Sequence, residues 1–314
     1  MKLRDLVTQY VTFCKSLGGC CAKEYVLRSF CRTLGERTDI RSVRVESVCA
    51  FLAGSGPLTR NWHEKYYVLR GFYRYALSRG YVTSVPLPTT IPKRPPRLTP
   101  YIYSREELHR LLEAATSCQC SVHMIEEFTL RTIIILLYGA GLRVGEALAL
   151  NVPDVDLSES LLTVRRSKFF KSRLVPLGSQ LAQALVAYSN WRNSAHPPVG
   201  SGSPFFVGRT GSRVFYNTLE GTYKRLRDHA GIHRTDGGRY QPRLHDLRHS
   251  FAVDRLVAWY RQGADVQRLL PHLSVYLGHI NLAATQIYLT MTPELLQEAN
   301  ARFERYARKE ASDD

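Results

Sequence analysis

The chain has 314 residues, 44% of them hydrophobic, which is enough for two domains of ordinary size and predicts a folded, soluble protein rather than a disordered one. Forty-three Lys and Arg against 27 Asp and Glu give a formal charge of +16, an excess that attracts polyanions through phosphate neutralisation and counterion release. Nucleic acid is therefore the first partner to consider, although ribosome-associated, heparin-binding and membrane-surface proteins share this balance and the motifs must decide.

The seven cysteines (Cys14, Cys20, Cys21, Cys31, Cys49, Cys118, Cys120) are odd in number and follow no disulfide-framework spacing. A reducing cytosol fits them best. Cys118 and Cys120 with His123 lack the spacing of a metal site and have no second pair, so they read as structural or surface thiols. The first residues carry no apolar signal region, and no run approaches the roughly 18 apolar residues needed to span a bilayer. The expected compartment is the cytoplasm, with the nucleoid.

In chain order, residues 3–17, 23–34, 43–52 and 59–79 read as helices separated by Gly-containing breaks, with no β alternation. The fourth helix carries Trp62, Tyr66, Leu69, Phe72, Tyr73 and Ala76 near a 3.6 period, an apolar stripe for a core. Lys65, Arg70 and Arg74 fall on its other faces, where a solvated surface and a DNA contact are equally open readings. Residues 86–100 contain Pro86, Pro88, Pro92, Pro95, Pro96 and Pro100, which make an extended linker because each Pro fixes its own φ and biases its predecessor away from helix. Lys93 and Arg94 on that linker are further candidate DNA contacts. The domain boundary follows: a helical domain over 1–85, the basic linker, and a second domain over 101–314.

Beyond the linker, Ser104-Arg105-Glu106-Glu107 has capping-box spacing and opens a helix over 108–115. A strongly apolar helix is predicted over 127–138, closed by Gly139-Ala140-Gly141, and the next over 142–148 with Arg143 in its first turn. Two short β runs, 161–165 and 173–176, flank a polar stretch as in a hairpin. Helices follow over 180–191, 219–230, 245–260, 266–270 and 281–288, with a tail helix from about 293 to 308.

Gly141-Leu142-Arg143-x-x-Glu146, Lys168 ahead of Arg173-Leu174-Val175-Pro176-Leu177, His245-x-x-Arg248-His249, Leu277-Gly278-His279 and Tyr288 occur in that order, and together they resemble the tyrosine recombinase (phage integrase) family. Any one piece is weak. Five in order, with Tyr288 nine residues after His279, are specific, and they cover 101 to about 292. The resemblance implies a mainly α fold with a small β component: a helical core-binding (SAM-like) N-terminal domain and a mixed α/β catalytic domain. It implies site-specific DNA recombination, in which Tyr288 attacks a phosphodiester and holds a 3′-phosphotyrosyl link whose energy serves rejoining through a Holliday junction.

Physically, such a site must grip a phosphate, stabilise a pentacoordinate transition state and protonate a departing 5′ oxygen. Arg143 and Arg248 offer planar paired donors to the non-bridging oxygens, a geometry lysine lacks. Glu146, three residues after Arg143, is placed to orient that guanidinium, and a plain i,i+3 ion pair has the same signature. By the resemblance Lys168 is the general acid toward the 5′ hydroxyl, with Lys171 its alternative and otherwise a DNA contact. His245 is the acid/base near the tyrosine, His279 donates to the scissile phosphate, and His249 is a packing or supporting group.

No cofactor or metal is called for. The partners implied are double-stranded DNA carrying specific sites and further copies of the chain, a dimer per site and a tetramer in synapsis, with accessory or partner recombinases also compatible. The text between Arg248 and His279 is longer than in shorter members and reads as a surface insertion or an extended helix. The tail helix, by the same resemblance, is expected to dock on a neighbouring protomer, with packing in cis the alternative. Two rivals are a type IB topoisomerase-like enzyme and a catalytically idle DNA-binding regulator; the short chain and its tail helix oppose the first, and the complete residue set opposes the second.

Overall fold

The computed structural model describes residues 1–17, 24–95, 99–117, 124–165, 172–238, 240–279, 281–290 and 295–301. The chain divides into two compact units, Met1–Arg97 and Leu98–Asp314. Lys168, Lys171, Cys118, Cys120 and His123 lie outside the described residues.

The first unit holds α1 (Leu3–Ser16), α2 (Glu24–Leu34), a 3-10 turn (Ile40–Ser42), α3 (Val45–Ala53) and α4 (Arg60–Ser78). Thr59 caps α4 by accepting the Asn61 N–H. The stripe read from the sequence faces inward: Leu69, Phe72, Tyr73 and Ala76 are fully buried against Leu3, Leu6, Leu27 and Phe30. At Gly71 a Cβ would come within 2.9 Å of the Tyr10 hydroxyl, so a side chain there would push aside the tip of that ring where α1 meets α4. The linker is tied back within this unit, with His63 Nε2 at 2.9 Å from the Pro92 carbonyl and the Arg94 guanidinium over the Tyr67 ring.

In the second unit, α5 (Arg105–Ser117) starts with the reciprocal Ser104–Glu107 capping box that its sequence encodes. Next come α6 (Glu127–Gly139) and α7 (Val144–Ala149). A small antiparallel sheet follows, β1 (Val155–Asp156), β2 (Leu161–Val164) and β3 (Arg173–Pro176) in that order, with Leu162 opposite both Val155 and Val175. The hairpin was legible and β1 was not, because two residues cannot display alternation. Helices α8 (Ser179–Ala195), α9 (Tyr216–His229), α10 (Leu244–Arg261), α11 (Val266–Leu277) and α12 (Ala283–Gln286) complete the order, with a 3-10 turn at Ile287–Thr290. Apolar on most sides, α6 runs through the middle of the unit and packs against α5, α8 and α10.

One difference from the sequence expectations bears on the site. Where the sequence stops a helix at Leu270, α11 continues through Pro271 to Leu277. An interior proline costs about 3 kcal/mol. Burial of Leu270, Leu273 and Leu277 returns more than that, at roughly 2 kcal/mol for each side chain. The long spacer before His279 is thus an extended α10 and a second helix, not a surface insertion. Their apolar faces (Phe251, Leu256, Val266, Leu273) form a core cluster that includes Tyr288 and Leu295.

Residues 295–301 are helical and pack in cis: Leu295 is buried in that cluster and Glu298 accepts from Arg261 Nε at 2.8 Å. The rest of the tail lies outside the described residues.

Candidate active site

Arg143 is the residue before the first turn of α7, not within it; the turn Gly139–Leu142 sets its direction. Gly141 has φ +59° and a Cβ there would collide with the Phe251 ring, so only glycine lets α10 pack this close. The Glu146 carboxylate accepts both the Arg143 backbone N–H (3.1 Å) and Nη1 (2.7 Å), which fixes the guanidinium at the helix start. Arg143 Nη2 donates to the Gly278 carbonyl at 2.8 Å, joining the start of α7 to the end of α11.

Glu146 has a second partner that sequence reasoning missed. Arg173 of β3 donates to both carboxylate oxygens, Nη1 at 3.0 Å and Nη2 at 2.7 Å, and its Nε donates to the Tyr276 carbonyl at 2.9 Å. Burial alone raises the Glu146 pKa, and Arg173 together with Arg143 reverses this and holds it down to about 2. Arg173 was read only as a strand landmark; no local spacing links it to Glu146.

Arg248 sits in α10 with 1% of its surface exposed. Its Nη1 donates to the Gly141 carbonyl (2.7 Å) and Nη2 to the Leu277 carbonyl (2.6 Å). Burial, followed by the charge of Arg143, pushes its pKa down to about 10. The rotation of α10 is set at its start, where the buried carboxylate of Asp246 accepts the Arg243 N–H at 2.8 Å and its Nη2 at 2.9 Å. Asp246 and Arg243 stood in the motif without a role.

His279 follows the left-handed Gly278 (φ +67°), which ends α11 in a tight turn with the His279 N–H on the Ser274 carbonyl. Its Nδ1 is 2.7 Å from the buried Thr285 hydroxyl, and its ring lies nearly parallel to Tyr288 with centroids 6.1 Å apart. Burial, then Arg248 and Arg143, lower its pKa to about 4.

Tyr288 lies in the 3-10 turn after α12 and is 2% exposed. Burial raises its pKa, opposed by the charges of Arg248 and Arg143. The imidazole on its hydroxyl is His249, with Nδ1 3.1 Å from Oη. His245, expected there, is exposed, and its ring stands perpendicular to that of His249 with centroids 4.9 Å apart. One turn of helix separates the two, and only the later one reaches the phenol.

Arg143, Glu146, Arg248, His279 and Tyr288 are thus brought together from α7, α10, the end of α11 and the turn after α12, with His245 at the rim. Of the candidate DNA contacts, Arg70 and Arg74 are exposed one turn apart on α4, and Lys93 and Arg94 are exposed on the linker. Lys65 instead folds back, its Nζ donating to the Phe51 carbonyl at 2.7 Å and lying over the Phe51 ring.

Residues 103–294 match the model of the phage integrase family. The chain belongs to that family. Among relatives of this integrase-family chain, a putative integrase/recombinase (y4rB) of Sinorhizobium fredii is 39% identical over 78% of this chain and 78% of its own length. The tyrosine recombinase XerC of Chlorobaculum parvum is 31% identical over 84% of this chain and 78% of its own. The fold is shared with the Tn1549 transposon integrase solved with circular intermediate DNA, at TM-score 0.66 and 16% identity over 98% of this chain and 99% of that one. Among the described residues of this family member, no helix is long and apolar enough to cross a membrane.

Proposed function

We propose that this integrase-family chain is a site-specific DNA recombinase that cuts and rejoins duplex DNA through Tyr288. One observation carries the reading: two guanidiniums, Arg143 and Arg248, and the imidazole of His279 are anchored by one backbone turn and gather beside the Tyr288 ring. Arg143 and Arg248 bind the non-bridging phosphate oxygens and stabilise the charge of the pentacoordinate transition state. With Nδ1 engaged by Thr285, His279 offers Nε2 to the same phosphate. His245 stands at the open side, where a DNA strand enters, and trades protons there.

Attack by Oη forms a 3′-phosphotyrosyl bond and frees the 5′ oxygen, which takes its proton from Lys168. Reversal with a different 5′ hydroxyl rejoins the strands, and two such exchanges pass through a Holliday junction. The exposed Arg70, Arg74, Lys93 and Arg94 hold the phosphate backbone without reading bases. A dimer of the chain on each site and a tetramer in synapsis carry out the exchange, and the biological task is that of a mobile element.

The test uses a nicked duplex selected by binding to the full chain from a random-sequence pool. Incubation with the protein in EDTA, followed by a denaturing gel, is expected to show a covalent 3′ complex for the wild type and none for Tyr288→Phe. A complex that persists in Tyr288→Phe means the nucleophile is another residue. No complex with wild type on the selected duplex favours a DNA-binding regulator.

A further inference from the structure

We propose that His249 is a catalytic residue of strand cleavage, the base that takes the Tyr288 phenolic proton on its Nδ1. This rests on the assignment of Tyr288 as nucleophile and goes beyond it, because the residue pattern alone gives His249 no more than a supporting place.

Geometry singles it out among three imidazoles. His249 Nδ1 lies 3.1 Å from Tyr288 Oη, within direct reach of the proton to be removed. His279 has its Nδ1 committed to the Thr285 hydroxyl, and its ring lies alongside the Tyr288 ring rather than end-on to the hydroxyl. His245 packs perpendicular to the His249 ring, and among the described residues it has no hydrogen bond to Tyr288. The position of His249 is itself over-determined. Its neighbour Arg248 is clamped by two backbone carbonyls, and Ser250 receives the Tyr103 N–H while donating to the Asp246 carbonyl. A side chain between two such anchors has little freedom to leave the phenol.

The groups facing the His249 ring are His245, Arg248 and Arg243 from α10 and its start, His279 from the turn after α11, and Tyr288. Burial first, and then these positive or ionisable neighbours, push its pKa down to about 3, so the ring is neutral near pH 7 and has a lone pair to offer. In the DNA-free protein that base is too weak to ionise a phenol whose own pKa burial has raised. A phosphodiester seated against Arg143 and Arg248 brings a negative charge that offsets the arginine field, stabilises the imidazolium and so raises the basicity of the ring. As the Oη–P bond forms, the phenol becomes strongly acidic, and the proton passes to Nδ1 as the P–O5′ bond breaks. The 5′ oxygen leaves with a proton from a separate donor, Lys168 in our assignment. On rejoining, the His249 imidazolium returns its proton to the departing phenolate, and the balance closes with no redox change.

The experiment measures single-turnover covalent complex formation by the full chain on the selected nicked duplex across pH 5.5 to 9, alongside DNA affinity and thermal melting. His249→Ala is expected to bind DNA as the wild type does and to cleave about 10²- to 10⁴-fold more slowly, the usual worth of a positioned base. Its rate should lose the wild-type dependence on pH, and added imidazole should restore part of it. His249→Asn, which retains a polar group on the phenol but does not titrate, should bind DNA and remain slow. A wild-type rate in His249→Ala, or full recovery in His249→Asn, overturns the proposal. So does a slow His249→Ala with an unchanged pH profile and no imidazole rescue, which marks a structural role. If wild type itself forms no covalent complex, the failure is of the Tyr288 assignment, seen before any His249 variant is measured.

Discussion

Both oxygens of the Glu146 carboxylate are held by the guanidinium of Arg173, at 3.0 and 2.7 Å, while one of them also takes Arg143 at 2.7 Å. One buried carboxylate therefore neutralises two arginines and ties β3 to α7. Removing it strands Arg173 in the interior, and breaking a buried pair from one side costs about 3–5 kcal/mol. Glu146→Ala should lower the melting temperature by roughly 10 °C and depress cleavage as Arg143 loses its guide. An unchanged melting temperature in a scanning calorimeter would remove the carboxylate from the list of structural anchors.

Gly278 is left-handed, and a Cβ there would stand 2.8 Å from Arg173 Nη1. Gly278→Ala must adopt a conformation that costs about 1–2 kcal/mol in an L-residue and must also displace Arg173. We expect a lower urea midpoint with an unchanged slope, and slower cleavage because His279 is the next residue. A variant as stable as wild type would show that the turn tolerates a side chain.

Thr285→Val removes the hydroxyl that holds His279 Nδ1 while keeping the shape of a buried side chain. Cleavage should slow by about tenfold, equivalent to ~1.4 kcal/mol of transition-state stabilisation, with DNA affinity preserved. Equal rates for the two proteins in single-turnover assays would mean that the ring holds its place without Thr285.

Stability should fall with acid in two stages. His249 and His279 have folded-state pKa values lowered to about 3 and about 4, below the ordinary imidazole value of 6.5. The unfolded chain therefore binds more protons as pH falls below about 6.5, and stability present above that pH is lost until the folded values are reached. Glu146, lowered from 4.5 to about 2, adds a second loss between those two values. Urea midpoints measured from pH 7.5 to 2.5 should decline, and Glu146→Gln should flatten only the lower part of the curve, below about pH 4.5. A flat wild-type profile from pH 7 to 4 would contradict the burial of these imidazoles.

Much of the scaffold was legible because its causes are local. The Ser104–Glu107 box and the inward stripe of α4 lie within one or a few turns of chain, and short-range geometry decides them. The end of α11 was misjudged because Pro271 is a local signal, and the burial that overrides it is not local.

The sequence by itself determined which chemical groups are available and in what order: two arginines, three imidazoles, a phenol and a carboxylate at fixed spacings, on elements whose periods and caps are written in adjacent residues. Only the tertiary structure decided which of them touch. Arg173 reaches Glu146 across 27 positions, Arg143 reaches Gly278 across 135, and His249 rather than His245 reaches Tyr288. The physical reason is that such contacts depend on the rotation of each helix about its axis and on how closely the glycine turns let α7, α10 and α11 converge. Both are set by the whole packed core and by no single stretch of chain.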